Sequence, residues 1–211
     1  MIEIKIASKK FGQKQILKDL TCSVGSGKII GISGMSGSGK STLLNIIGQI
    51  DTDYDGEIII DNISTKKMSK RERESLIRNK ISYLFQNYAL VENDNVKDNL
   101  LIALEYDKSP KKVKLNKMES ALSQVMLPTS FLKTPVFTLS GGEQQRVALA
   151  RVFLKTGSLI LADEPTGNLD EKNRDIVFKL LRSLAEEGKT IVIVSHDPYI
   201  ISQCDIHISL D

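Results

Sequence analysis

A glycine-rich segment between two apolar runs constrains the fold more than any other part of the sequence. The segment GMSGSGKST, residues 34–42, follows KIIGIS and precedes LLNIIGQI. It fits the pattern G-x-x-x-x-G-K-[ST], in which glycines let backbone N–H groups surround an anion and a helix N-terminus adds its partial positive charge. The sequence therefore predicts a strand, a phosphate-binding loop and a helix, in that order.

Individual residues of this loop have separate expected roles. Lys40 is expected to reach the β- and γ-phosphates of a nucleotide, and the Ser41 hydroxyl to help hold Mg²⁺. An incidental lysine in a Gly/Ser loop is the alternative, but the placement between a strand and a helix weighs against it. The predicted nucleotide-binding positions of the loop are Gly34, Ser36, Gly37, Ser38, Gly39, Lys40, Ser41 and Thr42.

Short apolar runs along the chain predict a parallel α/β sheet. The middle and late runs are almost wholly apolar, as strands covered on both faces must be. An amphipathic helix with Asp170 as its N-cap ends near Gly188 and leads directly into TIVIVS, which is βα alternation. The predicted strands are residues 2–7, 28–33, 56–61, 81–85, 159–163, 190–195 and 205–210.

The character of the sequence changes between about 87 and 156, where helical patterns replace strand patterns. Strand patterns return afterwards, which favours a helical lobe inserted into one α/β domain over two separate domains. We therefore expect a single domain over 1–211, with a core formed by about 1–86 and 157–211.

Polar residues follow two of the buried strands, at the edge where α/β sheets bind ligands. Asp163 ends LILAD and suits Mg²⁺ coordination, while Glu164 can accept a proton from an attacking water. His196 follows IVIVS and is placed to contact a γ-phosphate, although a lone histidine is more often structural. Asp197 and Pro198 are expected to be the N-cap and first residue of a further helix.

The stretch LSGGEQQR predicts a second helix start that could bind an anion. Ser140 and Glu143 form a capping box, so a well-started helix from about 141 to 155 is the plain interpretation. Gly141 and Gly142 leave backbone N–H groups open to a ligand, which a purely structural helix does not need. Because this start lies on the inserted lobe, we expect it to serve a nucleotide held by a second copy of the chain.

Taken together, these motifs resemble the ATP-binding subunit of ATP-binding cassette (ABC) transporters over essentially the whole chain. LSGGEQQR followed by LILADEPTGNLD is highly specific to that family. The resemblance implies a P-loop NTPase core with an N-terminal antiparallel β subdomain and an inserted α-helical subdomain. It also implies ATP and Mg²⁺ as ligands, ATP hydrolysis, an ATP-dependent homodimer and an integral membrane permease as partner.

The same resemblance assigns further residues. Gln86 in YLFQN is the Q-loop glutamine that senses Mg²⁺ and the γ-phosphate, and Asp170 lies in the D-loop. Phe11 occupies the position of the aromatic residue that stacks under adenine; an ordinary core phenylalanine is the alternative. Glu143 stands where the family commonly has glutamine, and the capping box would turn its carboxylate away from a phosphate.

Within the family, the sequence looks like the branch of macrolide exporters, lipoprotein-releasing systems and peptide-resistance pumps. YLFQNYALVENDNVKDNL and ADEPTGNLDEKNRD look closest to bacteriocin-export ATPases of the lactococcin type. A cassette that drives mechanical signalling or a cell-wall process through a membrane partner is the alternative. DNA-repair ATPases with long coiled coils and two-cassette translation proteins fit less well, because the two motifs here are close together and occur once.

Composition bounds the location and the partners. The net charge of +3 is too small to imply a nucleic-acid partner, and no apolar run suggests a membrane span. The N-terminus lacks the apolar core of a secretion signal, and Cys22 and Cys204 fit reduced cytosolic cysteines. We expect a cytoplasmic protein held at the membrane through its permease. The basic stretches 66–80 and 108–117 are most simply solvated helix faces, with a membrane or partner contact as the alternative.

Overall fold

Five of the seven predicted strands form the predicted parallel sheet in the computed structural model, which describes residues 1–210, whereas the runs 2–7 and 56–61 lie in a separate antiparallel sheet. Within those residues the parallel sheet has the strand order β6-β7-β8-β3-β9. Every neighbouring pair in it is parallel, which confirms the α/β core. The strands are β3 (Ile29–Ser33), β6 (Ile81–Leu84), β7 (Leu159–Asp163), β8 (Thr190–Val194) and β9 (Ile206–Ser209).

A second, antiparallel sheet covers the N-terminal part of the chain and has the order β2-β1-β4-β5. Its strand β2 and the two-residue strand β5 were missed in the sequence. Residues on β2 are mostly exposed or half-buried, so it lacks the apolar character that identified the others. The strands are β1 (Ile2–Phe11), β2 (Lys14–Val24), β4 (Asp55–Ile60) and β5 (Ile63–Ser64).

The predicted helices form, and short 3₁₀ turns lie at Thr129–Lys133 and Val136–Thr138. Asp170 and Asp197 cap α6 and α7 as expected, each accepting a hydrogen bond from a backbone N–H. The helices are α1 (Lys40–Ile47), α2 (Lys70–Lys80), α3 (Val96–Ala103), α4 (Lys111–Gln124), α5 (Gly141–Leu154), α6 (Glu171–Glu186) and α7 (Pro198–Ser202).

Alternate residues of the parallel strands enter two different apolar clusters. On β7, Ile160 packs in a cluster with α3–α6, whereas Leu159 and Leu161 pack in a cluster with α1 and the antiparallel sheet. Both faces of the sheet are therefore covered, which is why its central strands are continuous in apolar residues. Strand β9 is the exception, since it lies at an edge and its residues are half-buried or exposed in alternation.

The sheet order sets the position of the functional residues. Strands β3, β7 and β8 are adjacent and parallel, so the loops that follow them leave from one edge of the sheet. These loops carry the glycine-rich segment, Glu164 and His196. No helix within residues 1–210 has both the length and the apolar composition that crossing a bilayer requires.

Candidate functional site

The glycine-rich loop joins β3 to α1 in a conformation that needs glycine. Gly39 is the N-cap of α1 and has a φ of 100°. A Cβ atom at this position would lie 2.6 Å from Cγ2 of Ile16, so a larger residue would meet both backbone strain and a clash. No side chain caps this helix start, and its first turn holds no acidic residue. Its backbone N–H groups are therefore open to an external anion.

Lys40 lies over the loop that precedes it. Its Nζ donates hydrogen bonds to the carbonyl oxygens of Gly34 and Met35, each at 2.8 Å. Those bonds hold the ammonium group beside the loop rather than in open solvent. Its predicted contact with the β- and γ-phosphates remains a prediction, and the present position of the ammonium group is compatible with it.

Asp163 and Glu164 stand at the end of β7, opposite the start of α1. The Ser41 hydroxyl donates to Oδ1 of Asp163 at 3.4 Å. Burial raises the pKa of Asp163, and the neighbouring charge of Glu164 adds to this effect, while Ser41 and Lys40 oppose it. A hydroxyl and a carboxylate so placed fit Mg²⁺, which is commonly held by one or two carboxylates together with substrate phosphates.

His196 is paired with Glu164, a contact that the sequence did not indicate. Its Nδ1 lies 2.9 Å from Oε1 of Glu164, a distance that suits an N–H donating to a carboxylate. Glu164 has a φ of 46°, which is uncommon for a residue other than glycine, and its backbone N–H donates to Val194 O. The imidazole therefore contacts the carboxylate that we expect to act as general base.

These elements surround a cavity of about 320 Å³. Two larger cavities, of about 650 and 550 Å³, lie elsewhere, so the chemistry of the lining, and not size, identifies the site. Ile16 and Val194 were not among the predicted residues; they are apolar strand residues without a motif. The cavity is lined by Ile16, Ser36, Gly37, Gly39, Lys40, Ser41, Thr42, Gln86, Asp163, Glu164 and Val194.

The predicted start of α5 does not line that cavity. Ser140 caps the helix, and its backbone N–H and hydroxyl donate to Oε2 of Glu143 at 2.8 and 2.6 Å. The expected capping box is confirmed, with the Glu143 carboxylate turned back to Ser140. These hydrogen bonds, the Ser140 hydroxyl first, lower the pKa of Glu143. Of the sequence-predicted residues, those outside the cavity lining are Phe11, Gly34, Ser38, Ser140, Gly141, Gly142, Asp170 and His196.

Asn173 joins the start of α5 to the start of α6, and sequence reasoning missed it. Its backbone and side-chain amides donate to Asp170, and its Oδ1 accepts from Nη1 of Arg146 at 2.7 Å. These bonds to the Asp170 carboxylate lower its pKa. A Cβ on Gly142 would lie 2.6 Å from the Asn173 side chain. The two predicted regions that lie outside the cavity are thus one contiguous surface.

Phe11 ends β1 at the turn to β2, with 56% of its surface exposed. This exposure excludes the alternative of an ordinary core phenylalanine. The Lys9 ammonium lies 4.7 Å from the centroid of its ring. The stacking role under adenine remains a prediction.

A stacked aromatic pair lies between the cavity and a neighbouring groove. The rings of Tyr83 and Phe85 are parallel within 8°, with centroids 5.1 Å apart. The Tyr83 hydroxyl donates to Leu44 O on α1 at 3.4 Å, and a Cβ on Gly48 would lie 1.4 Å from its oxygen. Burial raises the pKa of Tyr83. Phe85 lines the groove of about 550 Å³ between core and helical lobe, and the next residue, Gln86, lines the cavity.

Comparison with known proteins identifies relatives over nearly the whole chain. The model of the family described as ABC transporter matches residues 17–167. The macrolide export ATP-binding/permease protein MacB of Campylobacter jejuni is 39% identical over 203 residues, which cover 96% of this chain and 32% of that protein. MacB of Neisseria meningitidis is 37% identical over 209 residues, covering 97% and 32%. The chain thus spans 32% of the length of these curated relatives.

Solved structures share the fold. The dimeric post-hydrolysis structure of the ATP-binding cassette MJ0796, bound to ADP and Pi, has a TM-score of 0.88 at 34% identity and covers 100% of this chain and 94% of its own. CbiO1 from Clostridium perfringens, part of the ABC transporter complex CbiONQ, has a TM-score of 0.88 at 26% identity and covers 99% and 83%.

Proposed function

The chain belongs to the ABC transporter family as one of its ATPase cassettes, and from this premise we propose that it powers an exporter of an antimicrobial peptide, bacteriocin or drug. Relatives named for macrolide export support the direction and the drug class. Resemblance of residues 83–100 and 162–175 to bacteriocin-export ATPases supports the peptide. The membrane permease that such an exporter requires is part of the proposal.

One observation carries the proposed mechanism: the start of α5, with Gly141 and Gly142 in its first turn, lies outside the cavity that the phosphate loop lines. In a head-to-tail pair of copies, Ser140 and Gly142 of one copy would face the phosphate loop of the other. Two nucleotides would then be enclosed between two copies. The dimeric ADP- and phosphate-bound cassette structure is a precedent for such a pair.

Within each site the residues would divide the work of hydrolysis. Glu164 would take a proton from the attacking water. His196 would orient the Glu164 carboxylate through their hydrogen bond and would also contact the γ-phosphate. Lys40 and the open N–H groups of α1 would stabilise the charge that develops on the phosphate oxygens. Ser41, Asp163 and Gln86 would hold Mg²⁺, which when bound neutralises charge on the β- and γ-phosphates.

The groove between core and lobe is our proposed contact for the permease. Phe85 and Ile102, two of its apolar lining residues, are 37% and 51% exposed. Because Phe85 precedes Gln86 in the chain, a segment that moves in the groove would act on the nucleotide cavity. Hydrolysis and product release would separate the two copies and so move the permease.

The test is the ATPase rate of the purified protein against its own concentration. If two copies form each site, the rate rises faster than linearly until the pair is saturated. The mass measured for Glu164→Gln should be that of a dimer with ATP and of a monomer without it. If the rate is strictly linear in protein and the protein is a monomer at every concentration, the shared-site mechanism is refuted. The start of α5 would then have only a structural role as a capped helix.

A further inference from the structure

The charge of the chain is concentrated in two short segments. Residues 66–80 hold seven lysines or arginines and two glutamates, and residues 108–117 hold five lysines and no acid. Each segment therefore carries a net charge of +5, whereas the whole chain carries +3. The rest of the chain is net negative, so the small total conceals a strong charge asymmetry.

The fold brings the two segments together, although about thirty residues separate them in sequence. The Arg78 guanidinium at the end of α2 lies 4.0 Å from the centroid of the Tyr106 ring, just before the second segment. Arg78 of the first segment and Lys117 of the second line the same groove, the one between core and lobe. The two segments thus meet at that groove, while Lys66 and Lys67 line the adjoining cavity of about 650 Å³, which shares Asn79 with the groove. We refer to residues 66–80 and 108–117 together as the basic rims.

Most charges of the basic rims have no acidic partner. Lys80 pairs with Asp61, and Lys117 pairs with Asp107. Six further lysines are exposed, and over residues 1–210 none of their ammonium groups makes an ion pair or a hydrogen bond: Lys66, Lys67, Lys70, Lys108, Lys111 and Lys112. Solvated lysines of this kind are flexible point charges, which suit attraction to a surface with many mobile negative charges better than fixed bidentate contacts.

We propose that the basic rims bind the acidic phospholipid head groups of a membrane surface. Clusters of four to eight lysines and arginines beside a membrane contact are attracted to anionic lipid, by about fivefold in affinity for each charge. Tyr106, 63% exposed between the rims, is the amphipathic residue type that favours the membrane interface. The orientation rests on the proposed permease contact in the groove, since a spanning partner seated there would bring both rims to the bilayer.

Flotation with lipid vesicles tests the proposal without a permease. The purified chain is mixed with vesicles of phosphatidylcholine alone, or with vesicles containing about a third phosphatidylglycerol. We expect binding to the acidic vesicles only. Raising the salt from about 0.1 M to about 1 M should abolish it, because the Debye length falls from about 10 Å to about 3 Å. Neutralising the six unpaired lysines to glutamine should lower the partition coefficient at least tenfold, with the ATPase rate unchanged.

The matched control neutralises exposed lysines outside the basic rims: Lys18, Lys133 and Lys179. It is compared with a variant that neutralises only Lys66, Lys67 and Lys108, so that the charge removed is equal. Equal loss of binding in both variants would overturn the proposal, as would binding to duplex DNA without binding to acidic vesicles. An ATPase rate that is linear in protein, together with binding to acidic vesicles, would refute the shared-site mechanism and would still support the proposed lipid contact.

Discussion

The phosphate loop and the start of α5 are both glycine-containing helix N-termini, but their surroundings differ. Helix α1 begins at Gly39 with no side-chain cap and faces a cavity that contains Asp163 and Glu164. Helix α5 begins at Ser140 with a complete capping box and lies outside that cavity. We expect the first start to bind an anion by itself, whereas the second is already capped by its own side chains and is expected to meet a ligand only in a pair of copies. Each copy therefore supplies one half of the site that we propose.

Among changes to the phosphate-loop half of the site, loss of the general base should lower the ATPase rate most. General-base catalysis contributes about 10²- to 10⁴-fold, so Glu164→Gln should lower the ATPase rate by at least about 100-fold. ATP binding should persist, because Lys40 and the loop are untouched, and the pair should accumulate. Phosphate release and mass in the presence of ATP measure both. Asp175→Asn, an acid on α6, is the control, and normal turnover in Glu164→Gln would refute the role.

Complementation tests whether the two halves come from different copies. Lys40→Ala removes the phosphate contact of one half, and Gly141→Asp places a carboxylate where the facing phosphate would lie in the other. An acid in the first helical turn suits the dipole, and the Cβ needs only a small shift of the Tyr88 hydroxyl, 3.0 Å away. Each variant alone should be inactive, while an equal mixture should regain about a quarter of wild-type activity, since random pairing leaves one site in four intact.

The mixture is assayed at constant total protein by phosphate release. Each variant mixed with wild type serves as the control for exchange of copies. An inactive mixture whose copies do exchange would mean that both halves of a working site belong to one chain.

Loss of the aromatic ring expected to stack under adenine should have an intermediate effect, on ATP affinity. Phe11→Ala removes an exposed ring, and loss of base stacking should cost about 1–3 kcal/mol, or about 5- to 150-fold in ATP affinity. Phe11→Tyr keeps the stacking face and should bind ATP normally. Titration with ATP and with a ribose triphosphate lacking the base separates stacking from general damage. Equal weakening for both ligands would contradict the stacking role.

Glu143 should give the smallest effect, because its carboxylate is held by hydrogen bonds from the backbone N–H and hydroxyl of Ser140. Glu143→Gln keeps one acceptor oxygen, so the ATPase rate should change by less than about tenfold. The folded state lowers the pKa of Glu143, so its stabilisation is present above the ordinary glutamate pKa of about 4.3 and is lost as pH falls through the lower, folded value.

Thermal unfolding measures that dependence. The Tm of the wild type should exceed that of Glu143→Gln near neutral pH, and the difference should shrink as the pH falls below about 4. Glu72→Gln removes the equivalent capping carboxylate of α2 and is the matched control, since Ser69 and Glu72 form the same box. An ATPase loss above tenfold in Glu143→Gln alone would mean that residue 143 meets the nucleotide.

The sequence was sufficient wherever one short segment determines a structure. The central parallel strands were predictable because both of their faces are apolar. The caps at Ser140, Asp170 and Asp197 were predictable because a polar residue precedes each helix. Strand β2 was missed because its partly exposed residues leave only a weak apolar pattern.

Contacts between distant segments could not be found in the same way. The side-chain amide of Asn173 packs beside Gly142. The sequence around either residue contains no pattern that predicts this contact. The pairing of His196 with Glu164 is of the same kind, since each residue was predicted singly from the strand it follows. The sequence thus predicted the residues of the site and the edge of the sheet where they lie, but not the side-chain contacts between them.

The Tyr83 ring, which fills the space beside Gly48, also constrains how the sequence can diverge. A side chain at position 48 would occupy the place of the Tyr83 hydroxyl, so neither residue can enlarge or move independently of the other. A larger residue at 48 should therefore be tolerated only together with a smaller residue at 83. Position 48 is thus limited by a side chain on another element of the fold and not by its own neighbours in the sequence.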